Sequence, residues 1–80
     1  MTADTDMHFS DCCVDMESSG NIIVVKTISG TGSAVGEAID GLKLDSILGT
    51  IAGDNTVLVV IKEGNSTSTV LESLRNLAGL

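Results

Sequence analysis

The segment Thr56–Ile61 is the feature that most restricts how this 80-residue chain can fold. Its sequence, TVLVVI, consists almost entirely of β-branched and aliphatic residues, which favour an extended strand. A strand with one solvated face usually alternates apolar and polar residues, and this segment does not. We therefore expect the strand to be buried on both faces, so that something has to cover each side of its sheet.

Three further strands are predicted, and they complete two hairpins. Residues 22–28 are mostly β-branched, and the Gly and Asn in residues 18–21 before them are turn formers. Ile47–Ala52 is a short apolar strand joined to Thr56–Ile61 by turn residues 53–55. Residues 9–16 are predicted to be the remaining strand, and its better core face carries Ser10, Cys12, Val14 and Met16.

Two helices are predicted from apolar residues that recur at helical spacing. The first apolar stripe consists of Ala34, Val35, Ala38, Ile39 and Leu42. The second consists of Val70, Leu71, Leu74, Leu77 and Ala78. The sequence allows two N-caps for the second helix: a capping box formed by Thr69 and Glu72, or a cap at Ser66 or Thr67. Gly79 is a residue type that typically ends a helix.

The predicted element order is β-β-α-β-β-α, in which a helix follows each hairpin. This order indicates an α+β fold, a two-layer sandwich whose four-stranded, mostly antiparallel sheet carries both helices on one face. The polar residues 1–8 have no periodicity and are predicted to be a disordered leader, so that the domain spans residues 9–80.

The composition indicates that the second face of the sheet is covered by another copy of the chain. Hydrophobic residues make up 42% of the sequence and the mean hydropathy is +0.37. A chain this short buries only about 60–65% of its unfolded surface, so apolar surface is left over. Such surface typically marks an association interface, and we expect a homo-oligomer.

Charge and length exclude several functions. The net charge of −7 disfavours binding of this chain by itself to nucleic acid or to an anionic membrane. The longest apolar run, residues 57–61, is far shorter than the roughly 20 residues that cross a bilayer. The two cysteines offer no disulfide framework, so a reducing, cytoplasmic location is expected.

Residues 30–33, Gly-Thr-Gly-Ser, are the first candidate binding element. They lie between a predicted strand and a predicted helix, where backbone N–H groups can bind an anion such as a carboxylate. The sequence leaves open an ordinary glycine-rich turn, which is the more frequent explanation. Both the phosphate-loop and the dinucleotide-binding patterns are incomplete, so nucleotide binding is not expected.

Two acidic residues are further candidates. Asp40 lies near the end of the first predicted helix, where the helix dipole disfavours a negative charge by roughly 0.3–1 kcal/mol. That position fits a role in binding as well as a solvated carboxylate. Asp54 lies in the turn 53–55 and can either complete an ordinary hairpin or present its carboxylate to a planar guanidinium.

Metal and catalytic sites are not predicted. His8, Cys12 and Cys13 are candidate zinc ligands by residue type, but they lack the paired spacing and the fourth ligand of a zinc site. The single His lies in a polar terminal segment, and no pair of carboxylates suggests acid–base chemistry. We expect neither a cofactor nor an enzymatic activity.

The sequence ILGTIAGDNTV at residues 47–57 resembles the C-terminal domain of bacterial arginine repressors. The resemblance includes Val-Lys-Thr-x-x-Gly at residues 25–30 and Ile-Asp-x-Leu at residues 39–42, and it covers residues 14–77. It implies the β-β-α-β-β-α fold, trimers that stack in pairs into hexamers, and L-arginine as a corepressor bound between the trimers. A winged-helix domain, which residues 1–8 do not supply, would make the DNA contacts.

The resemblance also implies which residues bind arginine. On this sequence they are Gly32, Ser33, Asp40, Thr50, Gly53, Asp54 and Asn55. The loop amides at Gly32 and Ser33 would bind the α-carboxylate, and Asp40 would accept a hydrogen bond from the α-ammonium group. Asp54, from a chain in the facing trimer, would bind the guanidinium.

Three residues depart from the pattern of the family. Asn55 stands where a second acid is usual, Ser33 where Gln is common, and Ser29 where Pro is common. Loss of one carboxylate removes a charge-assisted hydrogen bond worth about 1.5–3 kcal/mol. Two functions therefore follow from the resemblance: an arginine-sensing domain, or a structural oligomerisation module whose arginine response is weakened or lost.

Overall fold

The computed structural model describes residues 9–80, so the predicted leader and His8 lie outside the described residues. The elements are α1 (Phe9–Cys12), β1 (Cys13–Ser19), β2 (Ile22–Thr27), α2 (Gly32–Gly41), β3 (Ile47–Ala52), β4 (Thr56–Ile61) and α3 (Thr67–Ala78). Apart from the four-residue α1, this is the predicted β-β-α-β-β-α order. The bounds of β3 and β4 are those predicted.

The four strands form one sheet in the order β1-β2-β4-β3, and every neighbouring pair is antiparallel. After β2 the chain crosses to the far edge of the sheet through α2, and β4 then returns to the centre beside β2. Helix α2 packs on β3 and β4, and α3 packs on β1 and β2. The predicted α+β sandwich is confirmed, and β3 is an edge strand covered by α2.

The hydrophobic core lies between the sheet and the two long helices. The central strands alternate, so that every second residue of β2 and β4 is buried against the helices. The sheet contributes Met16, Ile23, Val25, Val57, Val59 and Ile61. The helices contribute Val35 and Ile39 of α2 and Val70, Leu74 and Ala78 of α3.

The prediction for residues 9–16 was wrong in its first half. Phe9–Cys12 is a helical turn, and the register of β1 against β2 shifts between Cys13 and Asp15. Because this irregularity adds one residue, Cys13 and Met16 are both buried although they are three positions apart. Val14, predicted to face the core, is exposed instead, as is Ser10.

The expectation that Thr56–Ile61 is buried on both faces was also wrong for the single chain. Val57, Val59 and Ile61 are buried beneath the helices, whereas Leu58 lies on the opposite face and is 41% exposed. The helices cover only one side of the sheet, so the continuous apolar run leaves an open apolar face.

The buried helical stripes contain fewer residues than predicted. Ala38, Leu42 and Leu77 are exposed, whereas the remaining apolar members are buried or half-buried. Helix α2 ends at Gly41, before Leu42. The three exposed residues line a shallow apolar groove together with Phe9.

The ends of α3 are fixed by its own residues and by β1. The Ser66 side chain accepts a hydrogen bond from the Thr69 N–H at 3.2 Å, which selects Ser66 over the capping-box alternative. Gly79 ends the helix in the left-handed conformation, at φ 74°. Arg75 donates to the carbonyl oxygen of Met16 at 2.9 Å and thereby ties α3 to the edge strand β1.

We predict that Leu74→Ala lowers the free energy of unfolding by about 2–5 kcal/mol, because Leu74 is fully buried and its loss leaves a cavity. Leu77→Ala is the matched control, since Leu77 lies on the same helix and is 52% exposed. Urea denaturation at one protein concentration measures both variants. Equal destabilisation by the two substitutions would contradict this packing.

Candidate functional site

Helix α2 lies against β3 and against the turn that follows it. Gly32, the first residue of α2, is buried, and a Cβ atom there would overlap the carbonyl oxygen of Gly53. A Cβ atom at Gly36 would lie 3.2 Å from the Cβ of Ala52. The absence of side chains at these two positions lets the backbone of α2 contact β3 and the turn directly.

Backbone hydrogen bonds join the turn 53–55 to the loop before α2. The Gly30 and Gly32 N–H groups both donate to the carbonyl oxygen of Asp54, each at 3.0 Å, and the Thr27 N–H donates to that of Asn55 at 2.8 Å. The Gly32 amide was predicted to bind a ligand carboxylate, but in the structure it is already hydrogen-bonded within the chain. Ser33, the other predicted loop residue, is exposed beside it.

Two side chains of this turn are held by neighbouring hydroxyl groups. Ser29 Oγ donates to Asp54 Oδ2 at 2.8 Å, and Thr56 Oγ1 donates to Asn55 Oδ1 at 3.1 Å. Asp54 and Asn55 are both exposed. The turn therefore presents one carboxylate and one primary amide, each with one oxygen already bonded.

Asp40 and Thr50 form a second cluster on the same edge of the sheet. Thr50 Oγ1 donates to Asp40 Oδ1 at 2.9 Å, which joins the last turn of α2 to the middle of β3. Asp40 is exposed and Thr50 is half-buried. The rise of 1.5 Å per helical residue places this cluster about 12 Å along α2 from Gly32.

The predicted site residues thus form two groups at opposite ends of α2. Gly32, Ser33, Gly53, Asp54 and Asn55 lie at its N-terminal end. Asp40 and Thr50 lie at its C-terminal end. Ser29 was not among the predicted site residues, although it contacts Asp54 across 25 residues of sequence. The one sequence feature that pointed to Ser29 was that it stands where Pro is common in the family that the chain resembles.

The two carboxylates have hydroxyl partners and no basic partner. Among residues 9–80, the one ion pair within 4.0 Å joins Arg75 to Asp15, at 3.7 Å and on the other edge of the sheet. Asp40 and Asp54 therefore keep their negative charge uncompensated at an exposed surface. Such carboxylates can bind an ammonium or guanidinium group through charge-assisted hydrogen bonds.

The two cysteines lie where α1 meets β1. Both are buried, and burial, with a smaller contribution from Cys12, raises the pKa of the Cys13 thiol to about 11. The thiolate, which binds metals and attacks electrophiles, is therefore disfavoured at neutral pH. Within the described part of the chain, no three His, Cys, Asp or Glu side chains are placed to hold a metal ion.

No helix in residues 9–80 has the length and apolar character needed to cross a membrane. The chain is thus a small α+β domain, a two-layer sandwich with one open apolar face and one exposed carboxylate near each end of α2. Comparison with known proteins specifies this class further. The family profile "Arginine repressor, C-terminal domain" matches residues 9–76, and the chain belongs to this family.

Curated relatives carry the same family name. The chain is 44% identical over 68 residues to the arginine repressor of Thermoanaerobacter sp. (strain X514), covering 85% of this chain and 45% of that protein. It is 41% identical over 69 residues to the arginine repressors of Halothermothrix orenii and Clostridium novyi, covering 86% of this chain and 46% of each. The chain spans about half the length of these relatives.

We predict that Gly32→Ala lowers the free energy of unfolding by about 1–3 kcal/mol, because the new methyl group would overlap the Gly53 carbonyl and push α2 away from the turn. Gly41→Ala is the matched control at the other end of α2. No atom lies within 4 Å of the Cβ position there, so the change should be neutral or stabilising by up to about 1 kcal/mol. Denaturant titration distinguishes them, and similar values would contradict the close contact.

Proposed function

We propose that this chain is the arginine-binding and oligomerisation domain of a transcriptional repressor, with L-arginine as its corepressor. The single observation that carries the proposal is that two exposed carboxylates without a basic partner, Asp40 and Asp54, lie beside one edge of the sheet. The chain belongs to the family of arginine repressor C-terminal domains, which makes arginine the expected cation. The proposal is of a regulatory role in the cytoplasm, with no enzymatic step and no cofactor. A separate winged-helix domain would make the DNA contacts.

The open face of the sheet supports self-association. Ile51 lies opposite Leu58, and Leu58 lies opposite Val24 on its other side, so these side chains form a continuous apolar surface. Ile51 is 72% exposed in the single chain. Burial of each Å² of such surface contributes roughly 25 cal/mol, which favours covering the face with another copy. The assembly we propose is a trimer, two of which stack into a hexamer.

The placement of the carboxylates supports a ligand that lies between copies. Asp40 and Thr50 are about 12 Å along α2 from the Asp54 turn, so the two clusters of one chain are separate surfaces. We propose that Asp40 accepts from the α-ammonium group while Asp54 of a facing copy binds the guanidinium. The cation would remove repulsion between the facing carboxylates, and its binding free energy would add to that of assembly.

Calorimetric titration with L-arginine tests the ligand. We expect saturable binding to the unaltered chain and at least about tenfold weaker binding to Asp54→Ala, since a hydrogen bond to a charged group is worth about 1.5–3 kcal/mol. Glu63→Ala, which removes an exposed acid after the opposite end of β4, should leave the affinity unchanged. A folded chain that gives no binding would refute the proposal.

Sedimentation velocity tests the assembly. Ile51→Lys places a charge in the open face and should shift the oligomer towards the monomer, because an unpaired charge is costly to bury. Leu77→Lys changes an equally apolar, 52% exposed side chain on the helical side and should leave the oligomeric state as it is. A monomeric unaltered chain at micromolar concentration would contradict the proposed interface.

The second candidate function is a structural oligomerisation module with weakened or lost arginine sensing. Asn55 favours it, because this residue supplies an amide in place of a second carboxylate, and one oxygen of Asp54 already accepts from Ser29. Sedimentation at increasing L-arginine concentration separates the two functions. A hexamer that is equally populated with and without arginine supports the structural module, and arginine-dependent assembly supports the sensor.

A further inference from the structure

The Asn55 side chain has a defined orientation. Its Oδ1 atom accepts a hydrogen bond from the Thr56 hydroxyl at 3.1 Å, so the two Nδ2 hydrogens lie on the other side of the amide of this exposed residue. The backbone oxygen of Asn55 is separately bonded to the Thr27 N–H. The turn therefore offers hydrogen-bond donors at the position where a carboxylate would offer only acceptors.

The Asp54 carboxylate has one oxygen already in use. Oδ2 accepts from Ser29 Oγ at 2.8 Å, which leaves Oδ1 as the less occupied acceptor. A guanidinium group is a donor at every nitrogen, and it binds best to two parallel acceptor oxygens. Against this turn it would share Oδ2 with the Ser29 hydroxyl, and it would also meet the N–H groups of Asn55, which repel its own.

A ureido group, –NH–CO–NH2, matches this arrangement better than a guanidinium does. Its N–H groups can donate to Asp54, and its carbonyl oxygen can accept from Asn55 Nδ2. We infer that the turn at residues 53–56 accepts an α-amino acid with a ureido side chain as well as arginine, so that this domain discriminates between the two only weakly. The inference rests on the proposed function, since it specifies the ligand class of the same site.

Calorimetry of the 80-residue chain with three amino acids tests the inference. L-citrulline carries the ureido group, L-arginine the guanidinium, and L-ornithine a cation with no planar terminal group. We expect L-citrulline to bind within about tenfold of L-arginine, and L-ornithine to bind more weakly than either. L-ornithine binding as tightly as L-citrulline would show that amino-acid binding here does not depend on the ureido group, and would overturn the inference.

Two variants assign the effect to Asn55. Asn55→Asp replaces the donor by a charged acceptor and should raise the preference for L-arginine over L-citrulline by about tenfold to a hundredfold. Thr56→Val removes the hydroxyl that orients the amide, so it should also weaken L-citrulline relative to L-arginine while Asp54 is unchanged. A merely structural role of either residue would weaken both ligands by the same factor.

The outcomes separate the inference from the proposed function. L-arginine binding without L-citrulline binding, or an affinity ratio that Asn55→Asp does not change, overturns the inference and leaves the arginine-sensing function standing. No binding of any of the three amino acids to the unaltered chain or to Asn55→Asp, in protein that circular dichroism shows to be folded, overturns both.

Discussion

The direct contact between the backbone of α2 and the edge of the sheet is the constraint on which the candidate site depends. Gly32 and Gly36 carry no side chains, so the helix can rest against β3 and against the turn 53–55. The carbonyl oxygen of Asp54 then reaches the amides of the loop before the helix. This contact fixes the turn, and with it the positions of the Asp54 and Asn55 side chains. A bulkier residue at Gly32 would separate the helix from the turn and remove that order.

The two faces of the sheet differ in how they are covered. The helices bury one face, and this face forms the hydrophobic core of the chain. The other face remains apolar and exposed, with Ile51 and Leu58 adjacent on neighbouring strands. The proposed assembly would cover this face, and the carboxylates of α2 and of the turn would then approach those of another copy. A cationic ligand that relieves this repulsion would couple arginine binding to assembly, because each favours the other.

The sequence named the residues of the candidate site, but it did not predict the hydrogen bonds among them. Asp40 and Thr50, both implied by the resemblance, are joined by a hydrogen bond in the structure. Ser29 was noted as a departure, yet its bond to Asp54 spans 25 residues and follows no local pattern. The Gly32 amide was predicted to face a ligand, but it donates to the backbone carbonyl oxygen of Asp54 because the turn folds back onto the loop. Arginine binding by these residues stays a prediction.

Local patterns in the sequence determined the strands β3 and β4, the two long helices and the α+β class, because strand and helix periodicity depend on neighbouring residues alone. Tertiary structure decided what the periodicity could not. The register shift near Val14 directs the Cys13 side chain towards the core. Ser66, rather than the capping box, caps α3. The tertiary structure also leaves one face of the strand Thr56–Ile61 exposed. Burial depends on which distant element covers a residue, and a single sequence does not encode that choice within any one segment.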